Sequence, residues 1–251
     1  MDLTQELKQM ATLNGASLVG VAPVELFAGA PQGHHPADLL PGARSVVSIG
    51  VRLLRRVSEW PELLRGSPLI PDELRVEALR ELFYKRSGYD VVNDRLNQIA
   101  LLLANFLEDS GHSALFFPAT YGTIPTNSSI GGIPGMFSQR HTAVRAGLGE
   151  FGLNNVVVTE RYGPRVRFNS VITTAELQPG ILRAAKICLG EACGACVEEC
   201  PAHALRLLPG VEEDHLWLDP VSRTDWTLCR QSQRGSACMG HCLRVCPVGG
   251  Q

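Results

Sequence analysis

All eight cysteines of this 251-residue chain lie in two stretches, CLGEACGACVEECP at residues 188–201 and CRQSQRGSACMGHCLRVCP at residues 229–247. Each stretch contains four cysteines and closes on the pattern Cys-x3-Cys-Pro. Residues 1–187 contain no cysteine. A disulfide framework would be spread more evenly along a secreted chain, so this concentration predicts a metal-binding module.

The spacing within the two stretches predicts iron–sulfur clusters. The first run reads Cys-x4-Cys-x2-Cys-x3-Cys-Pro and the second Cys-x8-Cys-x3-Cys-x3-Cys-Pro. In bacterial two-cluster ferredoxins the fourth cysteine of a run binds the other cluster. That crossing rule assigns one 4Fe-4S cluster to Cys188, Cys193, Cys196 and Cys246. It assigns the other 4Fe-4S cluster to Cys200, Cys229, Cys238 and Cys242, so we expect a ferredoxin-like domain over residues 181–251.

Two other interpretations of the cysteines stay open. Cys-x2-Cys and Cys-x3-Cys spacings also suit tetrahedral zinc, although zinc ribbons usually pair two short knuckles and do not repeat the x3-Cys-Pro ending. Disulfides would require an oxidising compartment. His203 and His241 lie close to cysteines in sequence, but eight cysteines already fill eight ligand positions, so we expect neither histidine to be a ligand.

The composition is that of a globular protein with no bias towards one kind of partner. Hydrophobic residues make up 45% of the chain, and the formal charge of −2 lacks the basic excess of nucleic-acid-binding proteins. The first residues, MDLTQELKQMATLNG, do not read as a signal peptide, and no run of 18 apolar residues occurs. We therefore expect a cytoplasmic protein with no membrane partner.

Residues 1–180 are predicted to form a separate α+β (α/β) domain, because strand and helix patterns are interleaved along them. Short apolar runs at 16–23 and 45–53 predict strands, and the pattern over 90–111 predicts a long helix. The later predicted elements are a glycine-rich loop over 120–138, a helix over 137–155 and a hairpin that pairs residues 155–160 with 165–174.

Several segments outside the cysteine runs are recognisable. They are LLPGARSVVSIGVRL (39–53), SGYDVVNDRLNQIA (87–100) and RAGLGEFGLNNVVVTERYGPRVRFNSVITT (145–174). Together with the cysteine runs, and in the same order, they resemble epoxyqueuosine reductases and cobalamin-dependent reductive dehalogenases. AGLGEFG followed by YGPRVR is closer to the dehalogenases, whereas the position of Cys229 well before Cys238 is closer to the epoxyqueuosine reductases. The resemblance implies a nitroreductase-like domain that binds a corrinoid, cobalamin, and receives electrons from the two clusters.

The resemblance also implies which residues contact the corrinoid: Tyr89, Gly147, Leu148, Gly149, Glu150 and Gly152. Glycines accept positive φ and let the backbone approach a planar macrocycle closely. The alternative is that AGLGEFG only ends a helix and begins a turn. Tyr89 could likewise only pack.

The chain departs from its relatives at the expected proton donor. Epoxyqueuosine reductases carry an aspartate shortly before AGLG, whereas GGIPGMFSQRHTAVR (131–145) contains no acid. A reductive reaction needs a proton source, and dehalogenases use a tyrosine, so Tyr121 is the predicted catalytic donor, with Arg140 or His141 assisting by charge. The alternatives are a packed ring for Tyr121 and solvated side chains for Arg140 and His141.

Three functions are compatible with these patterns. The first is a cobalamin- and iron–sulfur-dependent reductase of a small molecule, with reduced ferredoxin or flavodoxin as electron donor. The second is an electron-transfer protein that reduces the cobalt of a corrinoid protein and has no substrate chemistry. The third is a flavin-binding reductase, because the nitroreductase-like scaffold also binds flavins. We expect transfer RNA not to be a partner, because no helical-repeat extension follows the second cysteine run.

Overall fold

The structure is a computed structural model that describes residues 2–65, 67–120, 135–182, 185–211, 215–235 and 238–249. Within these ranges the α-helices are α1 (Leu3–Leu13), α2 (Pro36–Leu39), α3 (Arg55–Ser58), α4 (Asp72–Leu79), α5 (Val91–Asp109), α6 (Gln139–Arg145), α7 (Ala195–Glu198), α8 (Trp226–Gly235) and α9 (His241–Arg244). The strands are β1 (Leu18–Pro23), β2 (Ser45–Arg52), β3 (Ala114–Phe116), β4 (Glu150–Phe151), β5 (Val157–Val158), β6 (Val166–Thr173), β7 (Leu205–Leu207) and β8 (Ser222–Thr224). A π-helical segment, Arg80–Asp90, follows α4, and 3-10 turns cover Val24–Phe27, Trp60–Glu62 and Gly190–Ala192. This mixture of helices and strands confirms the α+β (α/β) class.

The chain separates into two compact units, each assembled from three segments. The first unit comprises Met1–Val51, Asn93–Leu148 and Arg167–Leu182, and the second comprises Arg52–Val92, Gly149–Val166 and Arg183–Gln251. The first unit's last segment ends two residues after the boundary that the sequence predicts, at residue 180. The second unit differs from the prediction, however, because it takes in two earlier segments in addition to the cysteine runs.

The first unit is built on a four-stranded sheet in the order β1-β2-β6-β3. β1 runs antiparallel to β2, with Val21 opposite Val47, and β3 runs antiparallel to β6, with Leu115 opposite Ile172. Every residue of β2 from Ser45 to Gly50 is buried. A strand that buries both alternating sets of side chains lies in a sheet covered on both faces.

Helices of the first unit follow the sequence pattern closely. α1 begins after Asp2, whose side chain accepts a hydrogen bond from the backbone N–H of Gln5 at 2.9 Å, as expected for an N-cap. In α5, leucines and isoleucine recur at helical spacing and are fully or almost fully buried, at Leu96, Ile99, Leu103 and Leu107. One apolar face of α5 therefore packs on the core.

The predictions over residues 137–174 were partly wrong. The helix predicted over 137–155 is only α6, because Gly147 follows it with φ +76° and the chain then enters β4. The predicted hairpin does not form as a ladder. β5 pairs instead with β4, β6 joins the four-stranded sheet, and only the bridge between Thr159 and Gly163 remains of the hairpin.

The second unit consists of short elements connected by long loops. Its two small sheets are the antiparallel pairs β4–β5 and β7–β8, and the one-turn helices α7 and α9 carry cysteines. Among the described residues of the whole chain, no helix combines the length and apolar character needed to cross a bilayer.

Candidate metal centre

Four cysteine thiols border one open cavity in the second unit. They are Cys188, Cys193, Cys196 and Cys246, and the empty space at the cavity is about 350 Å³. Cys246 belongs to the second cysteine run, so the structure brings together the same set that the crossing rule names. Leu153, Val158 and Pro247 contribute to the wall. Four thiols around a largely apolar cavity have the donor chemistry that an iron–sulfur cluster requires.

The remaining four thiols lie close to one another. Burial, followed by the charges of neighbouring thiolates, raises the pKa of Cys242 to about 12, and those neighbours are Cys196, Cys238, Cys229 and Cys200. Three of them complete the second predicted set. The fourth, Cys196, belongs to the first set, so the two sets are neighbours. A thiol with this pKa is protonated near neutral pH, and it must lose its proton when a metal or cluster binds.

A repeated local structure presents one cysteine of each set. Gly194 has φ +56° and precedes α7, and Gly240 has φ +78° and precedes α9. Cys196 and Cys242 each lie two residues after the glycine, in the following helical turn. The repeat Gly-x-Cys-x3-Cys-Pro can be read in both cysteine runs. It is a signal that the cysteine spacing alone did not reveal.

Glu150 holds the loop that carries Cys188. Its side chain is fully buried in β4, and one carboxylate oxygen accepts hydrogen bonds from the backbone N–H groups of Ile187, at 2.7 Å, and Cys188. The other oxygen accepts from the N–H of Trp217 at 3.3 Å. The resemblance implies a corrinoid contact for this residue. In the structure its carboxylate is bonded to the backbone of the metal centre.

Three further residues of the centre were missed as site residues at the sequence level. Arg165 donates hydrogen bonds to three backbone carbonyl oxygens around Cys246. The Asn154 amide donates to the carbonyl oxygen of Cys242 at 3.4 Å, and the indole of Trp60 donates to that of Met239 at 3.0 Å. Arg165 and Asn154 lie in the quoted segment 145–174, but their partners are 78 or more residues away. The local sequence around Arg165 and Asn154 therefore gives no signal for these hydrogen bonds.

His203 and His241 lie near the cysteines in sequence, and the structure gives each of them a different environment. His241 Nε2 lies 3.5 Å from a carboxylate oxygen of Glu199, and burial lowers the pKa of its imidazole. His203 has φ +45°, in the left-handed region, two residues after Pro201. Among the described residues, no three His, Cys, Asp or Glu side chains converge closely enough to hold a single metal ion. The thiols thus border a space instead of meeting at one point.

The three glycines predicted to contact a corrinoid are packed against the chain itself. A Cβ added to Gly147 would clash with the carbonyl oxygen of Ile181. A Cβ on Gly149 or Gly152 would clash with backbone or side-chain atoms of Val158. Internal packing therefore accounts for glycine at all three positions. Contact between these residues and a corrinoid stays a prediction.

The other predicted residues lie in different parts of the fold. Leu148 packs on the core cluster of the first unit. Arg140 is half-buried in the first turn of α6, and burial lowers the pKa of its guanidinium. Tyr89 is half-buried in the π-helical segment. Tyr121 lies outside the described residues, as does most of the predicted glycine-rich loop. The catalytic roles of Tyr121 and Arg140 stay predictions.

Comparison with known proteins gives two kinds of sequence relative. A tetrachloroethene reductive dehalogenase of Desulfitobacterium hafniense is 41% identical over 228 residues, which is 79% of this chain and 38% of the relative. An epoxyqueuosine reductase of Bacillus cereus is 29% identical over 175 residues, covering 68% of this chain and 38% of the relative. The chain thus spans less than two fifths of either relative. No protein-family model matches it.

Solved structures give the same two kinds of relative by fold. A reductive dehalogenase structure described as suggesting a mechanism for B12-dependent dehalogenation superposes with a TM-score of 0.59 at 18% identity, covering 97% of this chain and 31% of that one. An epoxyqueuosine reductase bound to an epoxyqueuosine-modified tRNA stem loop superposes with a TM-score of 0.52 at 20% identity, covering 80% and 52%. The chain therefore has homologues in two groups of reductases, the reductive dehalogenases and the epoxyqueuosine reductases.

Proposed function

We propose that this protein is an oxidoreductase in which two 4Fe-4S clusters pass electrons to a corrinoid that reduces a small molecule. The observation that carries the proposal is the cavity bordered by Cys188, Cys193, Cys196 and Cys246, since it joins cysteines from both runs. The names of the relatives support a reductive reaction. When bound, the clusters would supply one-electron transfer. The donor that we propose for them is reduced ferredoxin or flavodoxin.

A corrinoid is part of this proposal because of what the relatives are described as using. One related structure is described in terms of B12-dependent dehalogenation. In this chain Gly147, Gly149 and Gly152 are each packed closely against other parts of the chain. Corrinoid binding by this chain is therefore the first point to measure.

The test is anaerobic production of the protein with iron, sulfide and cobalamin supplied. We expect about eight irons per chain, as two 4Fe-4S clusters require, together with a reduced-cluster EPR signal and the visible spectrum of a bound corrinoid. Zinc at about two per chain without iron would contradict the cluster assignment. Iron without any corrinoid would contradict the corrinoid part alone.

A second candidate function is electron transfer to the cobalt of a separate corrinoid protein. The close internal packing of the three glycines favours it. The two functions differ in a direct measurement, because only the first requires tight cobalamin binding by this chain. If the iron-loaded chain binds no free cobalamin but reduces cobalamin held by another protein, the second function is correct.

Tyr121→Phe tests the proposed proton donor. If the corrinoid binds and Tyr121 supplies the proton, the variant should retain the corrinoid spectrum and lose turnover by about a hundredfold or more, as for general acid catalysis. Unchanged turnover would exclude Tyr121 as the donor.

Binding of an epoxyqueuosine-containing tRNA stem loop should also be measured, because a related enzyme is seen with that ligand. Specific binding would overturn our expectation that transfer RNA is not a partner.

A further inference from the structure

Arg165 is a buried cation beside one of the proposed cluster ligands. The residue as a whole is only 7% exposed. The guanidinium donates hydrogen bonds to the carbonyl oxygens of Leu243 at 2.8 Å, of Cys246 at 3.1 Å, and of Val248. These carbonyls surround the turn that presents Cys246. The backbone is brought close by Gly163, at which any Cβ would clash with the Val248 carbonyl.

The hydrogen-bond partners of Arg165 do not balance its charge. All three are neutral carbonyl groups, and among the described residues no carboxylate lies within 4.0 Å of its guanidinium. Buried charges in proteins are paired or lie at metal sites, because an isolated buried ion is costly. Burial lowers the pKa of Arg165, whereas negative charge at Cys246 and at Glu59 acts in the opposite direction. Glu59 is already paired with Arg55 and Arg56. Burial raises the pKa of Cys246, so its negative charge is the thiolate that forms when a cluster binds.

We propose that Arg165 is the counter-charge of the cluster held by Cys188, Cys193, Cys196 and Cys246, and that it raises the reduction potential of that cluster. This inference rests on the proposed function. A cluster with four thiolate ligands is anionic and gains one further negative charge on reduction. A fixed cation beside it stabilises the reduced form more than the oxidised form, most strongly where solvent is excluded.

Two other arginines lie close to Arg165. Arg55 and Arg244 line an open cavity together with Arg165 and Cys246. The Arg55 side chain is 65% exposed and is paired with Glu59 at 2.8 Å, so water and salt screen its charge. Arg55 is therefore a matched control for Arg165, because it borders the same cavity with a screened charge.

The experiment is an EPR-monitored redox titration of the iron-loaded full chain and its variants Arg165→Gln, Arg165→Lys and Arg55→Gln. The signal of the first cluster is identified by its loss in Cys196→Ser. We expect Arg165→Gln to shift the ratio of reduced to oxidised first cluster at least tenfold towards the oxidised form, which is about 59 mV for one electron. The second cluster should not shift. Arg55→Gln should shift the first cluster much less.

Arg165→Lys separates charge from hydrogen bonding, because lysine keeps the charge and loses the planar fork. If the first cluster of Arg165→Lys has a reduction potential close to that of the unsubstituted protein, the counter-charge role is supported, even if Arg165→Gln fails to assemble its clusters. Full iron with unchanged potentials in Arg165→Gln would overturn the inference. Equal loss of iron in the Lys and Gln variants would also overturn it, in favour of a role in holding the turn. Absence of iron from the unsubstituted protein would instead refute the proposed function.

Discussion

Glu150 illustrates how one buried carboxylate organises the loop that carries Cys188. Backbone N–H groups of Ile187, Cys188 and Trp217 all point at its two oxygens. These donors are 37 to 67 residues away in sequence. The carboxylate pairs with all three N–H groups, and it therefore fixes the position of the backbone at Cys188.

Glu150→Gln should destabilise the protein by about 2 kcal/mol, because a hydrogen bond to a charged acceptor is lost and an amide N–H₂ faces backbone donors. The free energy of unfolding is measured by urea denaturation of the metal-free chain. Glu108→Gln is the control, since Glu108 is exposed. Iron content of the reconstituted variant should also fall. Equal stability of the two variants would show that Glu150 does not hold the loop.

The roles of individual residues could be predicted from the sequence to different extents. The spacing predicted which cysteines lie together around the cavity, because the ferredoxin pattern fixes the grouping. Their binding to clusters stays a prediction. The contacts of Glu150 and Arg165 were not predictable, because they depend on backbone groups far along the chain. Both residues were nevertheless inside the segment that carries the resemblance. Similarity marked the segment without revealing what its charged residues do.

At the scale of elements, glycines with positive φ decide where the short helices and turns lie. The helix predicted over 137–155 ends early at Gly147, and the predicted hairpin is reduced to a tight turn at Gly163. Periodicity cannot show that Val157 and Val158 pair with β4 and not with β6, because the residues suit either partner. The long strands of the first unit were predictable from continuous apolar runs, and α5 was predictable because its buried face follows the helical period.

Gly163→Ala should destabilise the second unit strongly. Gly163 has φ +57°, and an added Cβ would run into the carbonyl oxygen of Val248. The left-handed conformation and the overpacking together should cost about 3 kcal/mol. Gly33→Ala is the matched control, because Gly33 has φ +81° and nothing lies within 4 Å of its added Cβ. It should cost about 1 kcal/mol from conformation alone.

Thermal unfolding followed by circular dichroism distinguishes these two glycine variants. For a protein of this size, 1 kcal/mol corresponds to a shift of about 2–4 °C in the melting temperature. The two shifts should therefore differ by several degrees. If Gly163→Ala melts at the same temperature as Gly33→Ala, the turn moves away from Val248 without cost and does not support Cys246.

On the scale of the molecule, the second unit brings together cysteines and supporting residues from separate parts of the chain. Cys188 and Cys246 border one cavity although 58 residues separate them. Residues 149–166 supply Glu150, Asn154 and Arg165, each bonded to the backbone at or beside a cysteine. A ferredoxin-like module cut at residue 181 would lack all three, so we do not expect it to hold clusters as the full chain does.

Paired cysteine substitutions test the crossing directly. If the sets are crossed, Cys196→Ser/Cys246→Ser damages only one cluster and retains about half of the iron, whereas Cys196→Ser/Cys200→Ser damages both and retains almost none. If each run binds its own cluster, these two results are exchanged. The measurement is iron and sulfide per chain after anaerobic reconstitution, with EPR to identify the surviving cluster. The crossed outcome is expected, because the structure places Cys246 beside Cys188, Cys193 and Cys196, where its thiol completes their set.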